Sequence, residues 1–206
     1  ISDWLIYEKK DAPFHLYYRR NLSSPEKRIV AEPTMGGLTK SPDDASIAYG
    51  FARGELYRFR LKGEEISVES HLKVSLNIQQ RFFHDSDGNI WATGGFGKMC
   101  RISTDFSKAD IQVYGAEEGI PDSWVNPFII DGEIIFACEE GVYSFNKVTD
   151  TFQKASRFDI LPDRAPVEFR HMLELENGNI VALSENGGGI FVKQPGGQYA
   201  WRNHGW

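Results

Sequence analysis

The sequence has few residues of the kinds that build metal sites or disulfide frameworks. It contains only two cysteines in 206 residues, Cys100 and Cys138, and neither has the spacing of a metal ligand. We therefore expect two small buried residues rather than a disulfide. Five histidines are spread singly along the chain, so no zinc site is predicted. The net charge of −6 and the scattered basic residues argue against a nucleic-acid partner.

Long apolar runs are also missing. No stretch approaches 18 apolar residues, so the sequence predicts no membrane span. Residues 1–4 open directly inside a predicted strand without a signal peptide, which suggests that residues upstream were removed by processing or truncation. No Gly-x-Ser-x-Gly elbow, phosphate-cradling glycine loop or kinase signature occurs. We therefore expect no cofactor, no metal and no self-contained active site.

What the sequence does contain is typical of strands joined by tight turns. Hydrophobic residues make up 41% and charged residues 25%, which are ordinary globular values. The aromatic share of 13% and the 20 glycines favour β-structure with many turns. No segment has the apolar spacing of an amphipathic helix. The composition therefore indicates one folded, all-β chain.

An internal repeat defines the fold class. The clearest copy is residues 85–94 (DSDGNIWATG) followed by residues 98–102 (KMCRI), a turn and two apolar strands. The same pattern returns at 131–137 with 141–145 and at 177–183 with 189–192, and in worn form at 44–50 and 3–7. Each central hairpin is flanked by two weaker strands. Four short antiparallel strands recurring every 43 to 46 residues are typical of a β-propeller blade.

We therefore predict a single all-β domain, 1–206, made of about five blades as a partial or small propeller. The predicted repeats are 1–32, 33–75, 76–118, 119–163 and 164–206. One blade has apolar residues on both faces, so blades must stack to bury them.

The repeat resembles a known family. Residues 119–125 (GIPDSWV), a strand, and the DGNIWAT run at 87–93 are similar to the two-component regulator propeller repeat. That family typically reads Gly-Leu-Pro-x-Asn-x-Val, a strand, and then Asp-x-x-Gly-Asn-Leu-Trp-Ile-Gly-Thr. The resemblance extends over about residues 78–195. It implies a periplasmic or extracellular sensor region of a bacterial histidine kinase or hybrid regulator, with an adjacent propeller or immunoglobulin-like domain in the same chain.

Three glycines are predicted structural turn positions. Gly88, Gly132 and Gly178 follow the first strand of three successive blades, where a turn requires positive φ. The aspartates around Gly88 could also suggest a calcium loop or the Asp-box turn of sialidases. The further oxygen ligands of a calcium loop are missing, so an ordinary β-turn is the preferred interpretation.

Candidate binding residues come from propeller geometry. The loop that enters each innermost strand borders one face of the central channel, where ligands commonly bind. Arg81, Trp124, Asn126 and Arg170 occupy these positions in three successive blades. They would suit an anionic or sugar-like ligand, because arginine gives forked donors and Trp a flat apolar surface. A salt bridge to a neighbouring blade or aromatic packing between blades would also explain them.

The preferred function is a non-catalytic, ligand- or signal-sensing propeller segment that binds a small molecule or an oligosaccharide. The full-length parent would then carry any histidine kinase. Two alternatives remain: a five-bladed propeller that binds or cleaves carbohydrate, and a scaffold that docks protein partners. A homodimer is compatible with each of these functions.

Overall fold

A computed structural model describes most of the chain. The described residues are 5–8, 16–19, 23, 25, 27–30, 35–52, 54–63, 65–74, 76, 82–108, 110–158, 168–185 and 187–203. In the strands before residue 39 only the backbone is described.

Within the described residues, nineteen strands form five separate sheets in chain order. The first sheet has three strands, β1 (Leu5–Glu8), β2 (Leu16–Arg19) and β3 (Lys27–Val30). The second comprises β4 (Met35–Lys40), β5 (Ile47–Ala52), β6 (Glu55–Lys62) and β7 (Glu65–Lys73). The third comprises β8 (Phe82–His84), β9 (Ile90–Thr93), β10 (Met99–Ile102) and β11 (Ile111–Tyr114). The fourth comprises β12 (Asn126–Ile130), β13 (Glu133–Cys138), β14 (Gly141–Asn146) and β15 (Thr151–Lys154). The fifth comprises β16 (His171–Glu174), β17 (Ile180–Ser184), β18 (Gly187–Lys193) and β19 (Tyr199–Asn203).

Within each sheet the strands pair with their sequence neighbours, which is the connectivity of a propeller blade. The described residues contain no α-helix, only two short 3₁₀ turns at Ala116–Glu118 and Ser156–Phe158. The all-β blade repeat predicted from the sequence is therefore confirmed. The chain divides into two compact units, 1–90 with 102–111, and 91–101 with 112–206.

Turn chemistry explains how the strands reverse. Asp131 and Gly132, between β12 and β13, have φ values of 52° and 73°. Positive φ at both central residues matches the right-handed twist of a two-residue hairpin, and Asp and Gly tolerate it best. Ile130 consequently pairs with Glu133 across the turn. This register places alternate apolar side chains on each face of the sheet.

In the second unit, the fourth and fifth sheets pack through a continuous apolar cluster. The fourth sheet contributes Phe128, Ile130, Ile135, Ala137 and Val142, all buried. We call this its leading face. The fifth sheet contributes a face rich in aromatic residues, which includes Phe191, Tyr199 and Trp201. We call this its trailing face. Each large side chain that is fully buried here contributes about 1.5–3 kcal/mol, so the contact is a major part of the stability of both sheets.

The opposite face of the fourth sheet buries a second cluster around Trp91. Phe145 meets the Trp91 ring edge-on at 4.7 Å between centroids, and Tyr114 stacks on it at 5.2 Å. Phe152 closes the cluster at 5.8 Å from Trp91. Offset and edge-on arrangements are the favourable ones for aromatic pairs. The fourth sheet is therefore apolar on both faces and covered on both.

The first unit uses the same chemistry on a smaller scale. Phe51 and Phe82 meet edge-on at 5.1 Å, and Tyr49 packs against His84 at 5.3 Å and Phe106 at 6.0 Å. Arg58 and Arg60 share Glu69, at 2.9 Å and 2.6 Å.

Two aspartates with positive φ tie neighbouring sheets together in the second unit. Asp131 is bound by Lys193 at 2.7 Å, by Arg157 at 3.1 Å and by the Tyr199 hydroxyl at 3.1 Å. Asp150, with φ of 56°, accepts hydrogen bonds from Tyr114 at 3.0 Å and from Gln112. Each carboxylate thus links a turn of the fourth sheet to a strand of an adjacent one.

Both cysteines are free and buried, as the sequence predicted. Burial raises the pKa of each thiol to about 12, so neither is a reactive thiolate at neutral pH.

We predict that Gly119→Ala is far more damaging than Gly132→Ala. Gly119 has φ of 88°, and a Cβ there would overlap the Phe152 carbonyl oxygen, whereas a Cβ at Gly132 would meet nothing within 4 Å. The first change adds a backbone clash to the left-handed strain, so we expect it to cost about 2–5 kcal/mol, and the second only about 1–2 kcal/mol. Urea midpoints measure both, and equal midpoints would contradict the packing at Gly119.

We also predict a pH-dependent role for Asp131. Its hydrogen bond with Lys193 holds its pKa below the usual range despite partial burial, and that of Tyr199 adds to the effect. The stabilisation is therefore present above the unfolded pKa of about 4 and is lost as pH falls through the folded value. Asp131→Asn keeps the turn conformation and should cost about 1–2 kcal/mol at pH 7.

The measurement is urea unfolding from pH 7 down to pH 3. The difference between wild type and Asp131→Asn should shrink as the pH falls. Asp110→Asn, the same charge change at an exposed position, serves as the control. A difference that is constant across this range would show that the carboxylate charge does not matter.

Candidate functional site

One end of the sheets in the second unit collects the predicted binding positions. The chain enters β12 and β16 at this end, and the β9–β10, β13–β14 and β17–β18 turns return there because the strands alternate in direction. β12 and β16 are adjacent strands of neighbouring sheets. We call the entry loops 121–125 and 168–170, together with these three turns, the rim.

Trp124 is exposed on the rim beside a second aromatic residue. Its side chain is 47% exposed, and that of Phe96, in the β9–β10 turn, is 53% exposed. The rings meet edge-on at 5.9 Å between centroids. The backbone holds them there, because the Gly97 amide donates to the Ser123 carbonyl at 2.8 Å. Two adjacent aromatic rings open to solvent form a small apolar platform.

A buried serine holds an acidic residue next to this platform. The Ser123 hydroxyl donates to Glu140 Oε2 at 2.9 Å, and Ser123 is itself buried. Burial raises the pKa of Glu140, but hydrogen bonds from Cys138 and Ser123 outweigh it and leave the pKa below its usual range. Glu140 is therefore ionised at neutral pH and acts as a hydrogen-bond acceptor, not as a proton donor.

Arg170 lies on the rim, where it is paired with an acidic residue of its own sheet. Its guanidinium is 2.8 Å from Glu185 Oε1 in the β17–β18 turn, and both side chains are largely exposed. The sequence had suggested a neighbouring blade as the alternative partner. An exposed pair of this kind contributes about 0–1 kcal/mol, so both groups can exchange partners when a ligand binds.

Of the two remaining candidate residues, Asn126 is described by the structure and Arg81 is not. Asn126 is half-buried as the first residue of β12, in register with Ala137 of β13. Arg81 lies outside the described residues. The structure thus brings Trp124, Asn126 and Arg170 to the same end of two adjacent strands.

The three turn glycines all have positive φ, at 81° for Gly88, 73° for Gly132 and 76° for Gly178. Gly88 and Gly178 share one turn geometry, with amide bonds from Gly88 to the Asp85 carbonyl and from Gly178 to the Leu175 carbonyl. Gly132 belongs to the shorter two-residue hairpin. Gly132 and Gly178 lie at the end of their sheets opposite to the rim.

In the aspartate-rich turn at Gly88, the Asp85 carboxylate accepts hydrogen bonds from within the turn. Asp85 accepts the Asp87 and Asn89 amides, both at 2.9 Å, and the Asn89 side chain at 3.0 Å. No group of three or more residues that could hold a metal occurs in the part of the chain that the structure describes. The β-turn interpretation accounts for this motif.

Sequence reasoning missed Phe96, Ser123 and Glu185. A signal existed for Phe96, since a large aromatic between Gly95 and Gly97 stands at the tip of a turn that is usually polar. The sequence contains no signal for Ser123 or Glu185, because each of them contacts a partner on another loop.

Comparisons with known proteins support the fold and leave the family open. No family model and no curated protein matches the chain. Among solved structures, the chain is similar to the extracellular domain assigned to a hybrid two-component system of B. thetaiotaomicron, BT3049. The two are 12% identical with a TM-score of 0.65, over 95% of this chain and 26% of that one.

Enzymes and other propellers share the same fold. A virginiamycin B lyase from Staphylococcus aureus is 14% identical with a TM-score of 0.66, over 97% of this chain and 66% of that one. The WD40 β-propeller domain of Doa1 is 12% identical with a TM-score of 0.65, over 96% of this chain and 63% of that one. The chain therefore spans about a quarter of the sensor domain and about two thirds of the lyase. At these identities the likeness establishes β-propeller blades.

Among the described residues, no helix has the length and apolar character needed to cross a bilayer.

We predict that replacing Trp124 and replacing Trp91 have very different effects on stability. Trp124→Ala should change the free energy of unfolding by less than about 0.5 kcal/mol, because the ring is half exposed and makes one edge contact. Trp91→Ala, at a fully buried position, should cost about 3–5 kcal/mol. Urea unfolding followed by circular dichroism tests both. A large loss for Trp124→Ala would show that the ring is part of the core.

Proposed function

We propose that the chain is a ligand-sensing propeller segment of an extracellular two-component sensor, and that its ligand binds at the rim. The observation that carries this proposal is the exposed Phe96–Trp124 pair. Among the described residues, the other large aromatic rings are buried, as Trp91 and Tyr199 are, or half-buried. Leaving two adjacent rings in water costs hydrophobic stabilisation that a ligand would recover.

The charges around the platform favour a sugar-like ligand. Glu140 and Glu185 offer carboxylate oxygens to hydroxyl groups, and Arg170 offers donors. The Trp124 ring provides a flat surface for the apolar face of a pyranose. An organic acid would instead have to displace Glu185 from Arg170, which makes an anion the less favoured ligand.

Two further points fit sensing rather than turnover. Glu140 is ionised, so it could not supply the proton that a glycosidase gives to its leaving group. The neighbours that are extracellular domains of two-component systems support a location outside the cytoplasm.

A carbohydrate-processing enzyme is the second candidate. The lyase neighbour, and a neighbour described as a 6-phosphogluconolactonase from Bacteroides fragilis, show that similar blades carry catalytic sites. This candidate requires a further acidic or basic group close to the platform.

The test is a thermal-shift screen of oligosaccharides and organic acids against wild type and Trp124→Ala. We expect a stabilising ligand among the oligosaccharides. Trp124→Ala should weaken its affinity about 5- to 150-fold, because loss of a stacking ring costs about 1–3 kcal/mol in binding. Arg81→Ala/Arg170→Ala measures the contribution of the guanidinium groups.

Val148→Ala is the matched control, since Val148 is exposed at the opposite end of the fourth sheet. Binding that Trp124→Ala leaves undiminished would place the site away from the rim. Turnover of any bound glycan would replace the sensing function by the enzyme candidate.

A further inference from the structure

The face of the fifth sheet that points away from the fourth sheet is apolar and exposed. Leu173 on β16 is 64% exposed, Leu183 on β17 is 41% exposed, and Leu175 follows β16 at 36%. Leu173 pairs in register with Val181, and Val181 with Ile190, so these side chains form one row across three strands. We call these five residues the leading face of the fifth sheet.

The same positions are buried in the fourth sheet. Phe128 pairs with Ile135 as Leu173 pairs with Val181, and Ala137 precedes its turn as Leu183 does. Phe128 is only 4% exposed and Ala137 is fully buried, because the trailing face of the fifth sheet covers them. Equivalent positions with equivalent chemistry are thus covered in one sheet and open in the next.

From this we infer that the leading face of the fifth sheet is a docking surface for a further four-stranded propeller blade. The occupant must present an aromatic trailing face, because that is the chemistry that covers the matching face of the fourth sheet. The five residues are aliphatic, with the exposed His171 and Arg202 in register beside Leu183 and Ile190 at the borders of the face. An apolar centre with polar borders is the usual pattern of a stable interface.

A second copy of the chain fits this surface less well. Two leading faces packed together would bring only aliphatic side chains to the contact, without the rings that fill the space between the fourth and fifth sheets. The trailing faces of those two sheets are both covered already within the second unit. A blade with a free trailing face is therefore the occupant that the observations favour.

The first part of the test establishes that the surface is open. Leu173→Asp should leave the urea midpoint of the 206-residue chain almost unchanged, whereas its counterpart Phe128→Asp should lower that midpoint sharply. Photochemical carbene labelling should modify Leu173 and Leu183 strongly. If the chain is a monomer by analytical ultracentrifugation, weak labelling would show that residues of this chain already cover the face. If it sediments as a dimer, weak labelling would identify a second copy as the occupant. Either result overturns the proposal.

The second part of the test adds a blade that can cover the leading face of the fifth sheet. The chain is extended by a duplicate of its own residues 164–206, which offers one more aromatic trailing face. In the duplicate, the leucines equivalent to Leu173 and Leu183 are replaced by Asp, so that the labelled leucines belong to the original copy. Labelling of Leu173 and Leu183 should then fall severalfold, while labelling of Val148, exposed elsewhere, stays constant. Leu173→Asp/Leu183→Asp should restore labelling of the neighbouring Val181 in the extended chain. Labelling that the extension does not change, in a chain whose circular dichroism shows the added strands, would overturn the proposal.

Discussion

The fold depends on one constraint: a four-stranded sheet of this length has two apolar faces and cannot bury either of them alone. The fourth sheet shows the solution, with the Trp91 cluster on one face and the cluster of Phe191 and Tyr199 on the other. Its strands are only four to six residues long, so backbone pairing adds little stability without a neighbour. Stability therefore belongs to contacts between sheets, which is why the chain repeats one unit.

This constraint also explains which features could be predicted from the sequence. The repeat period, the hairpins and the turn at Gly88 follow from local signals, namely alternating apolar residues and glycines that need positive φ. The partner of Arg170 and the contact between Phe96 and Trp124 could not be predicted, because they join loops that carry no periodic pattern. The hydrogen bonds of Asp150 to Tyr114 and Gln112 could not be predicted either, because they join a turn of one sheet to a strand of another.

The rim shows how exposed side chains can be placed on this fold without altering its core. Ser123 and the Gly97 amide fix the loop that carries Trp124, while the ring itself stays in solvent. Similar blades in a lyase and in sensor domains make the same point from the other direction, because one scaffold supports several kinds of site. Differences in function between such proteins are therefore to be sought in the side chains of the loops rather than in the strands.

The ties made by Asp131 and Asp150 lie at the opposite end of the fourth sheet from Trp124. Substitutions in the loops at one end therefore leave the ionic contacts that align neighbouring sheets at the other end intact. The sequence of the loops at the Trp124 end can vary while the register of the stack is preserved. Proteins that share one stacking geometry and differ in their exposed surfaces can therefore arise by exchange of short loops alone.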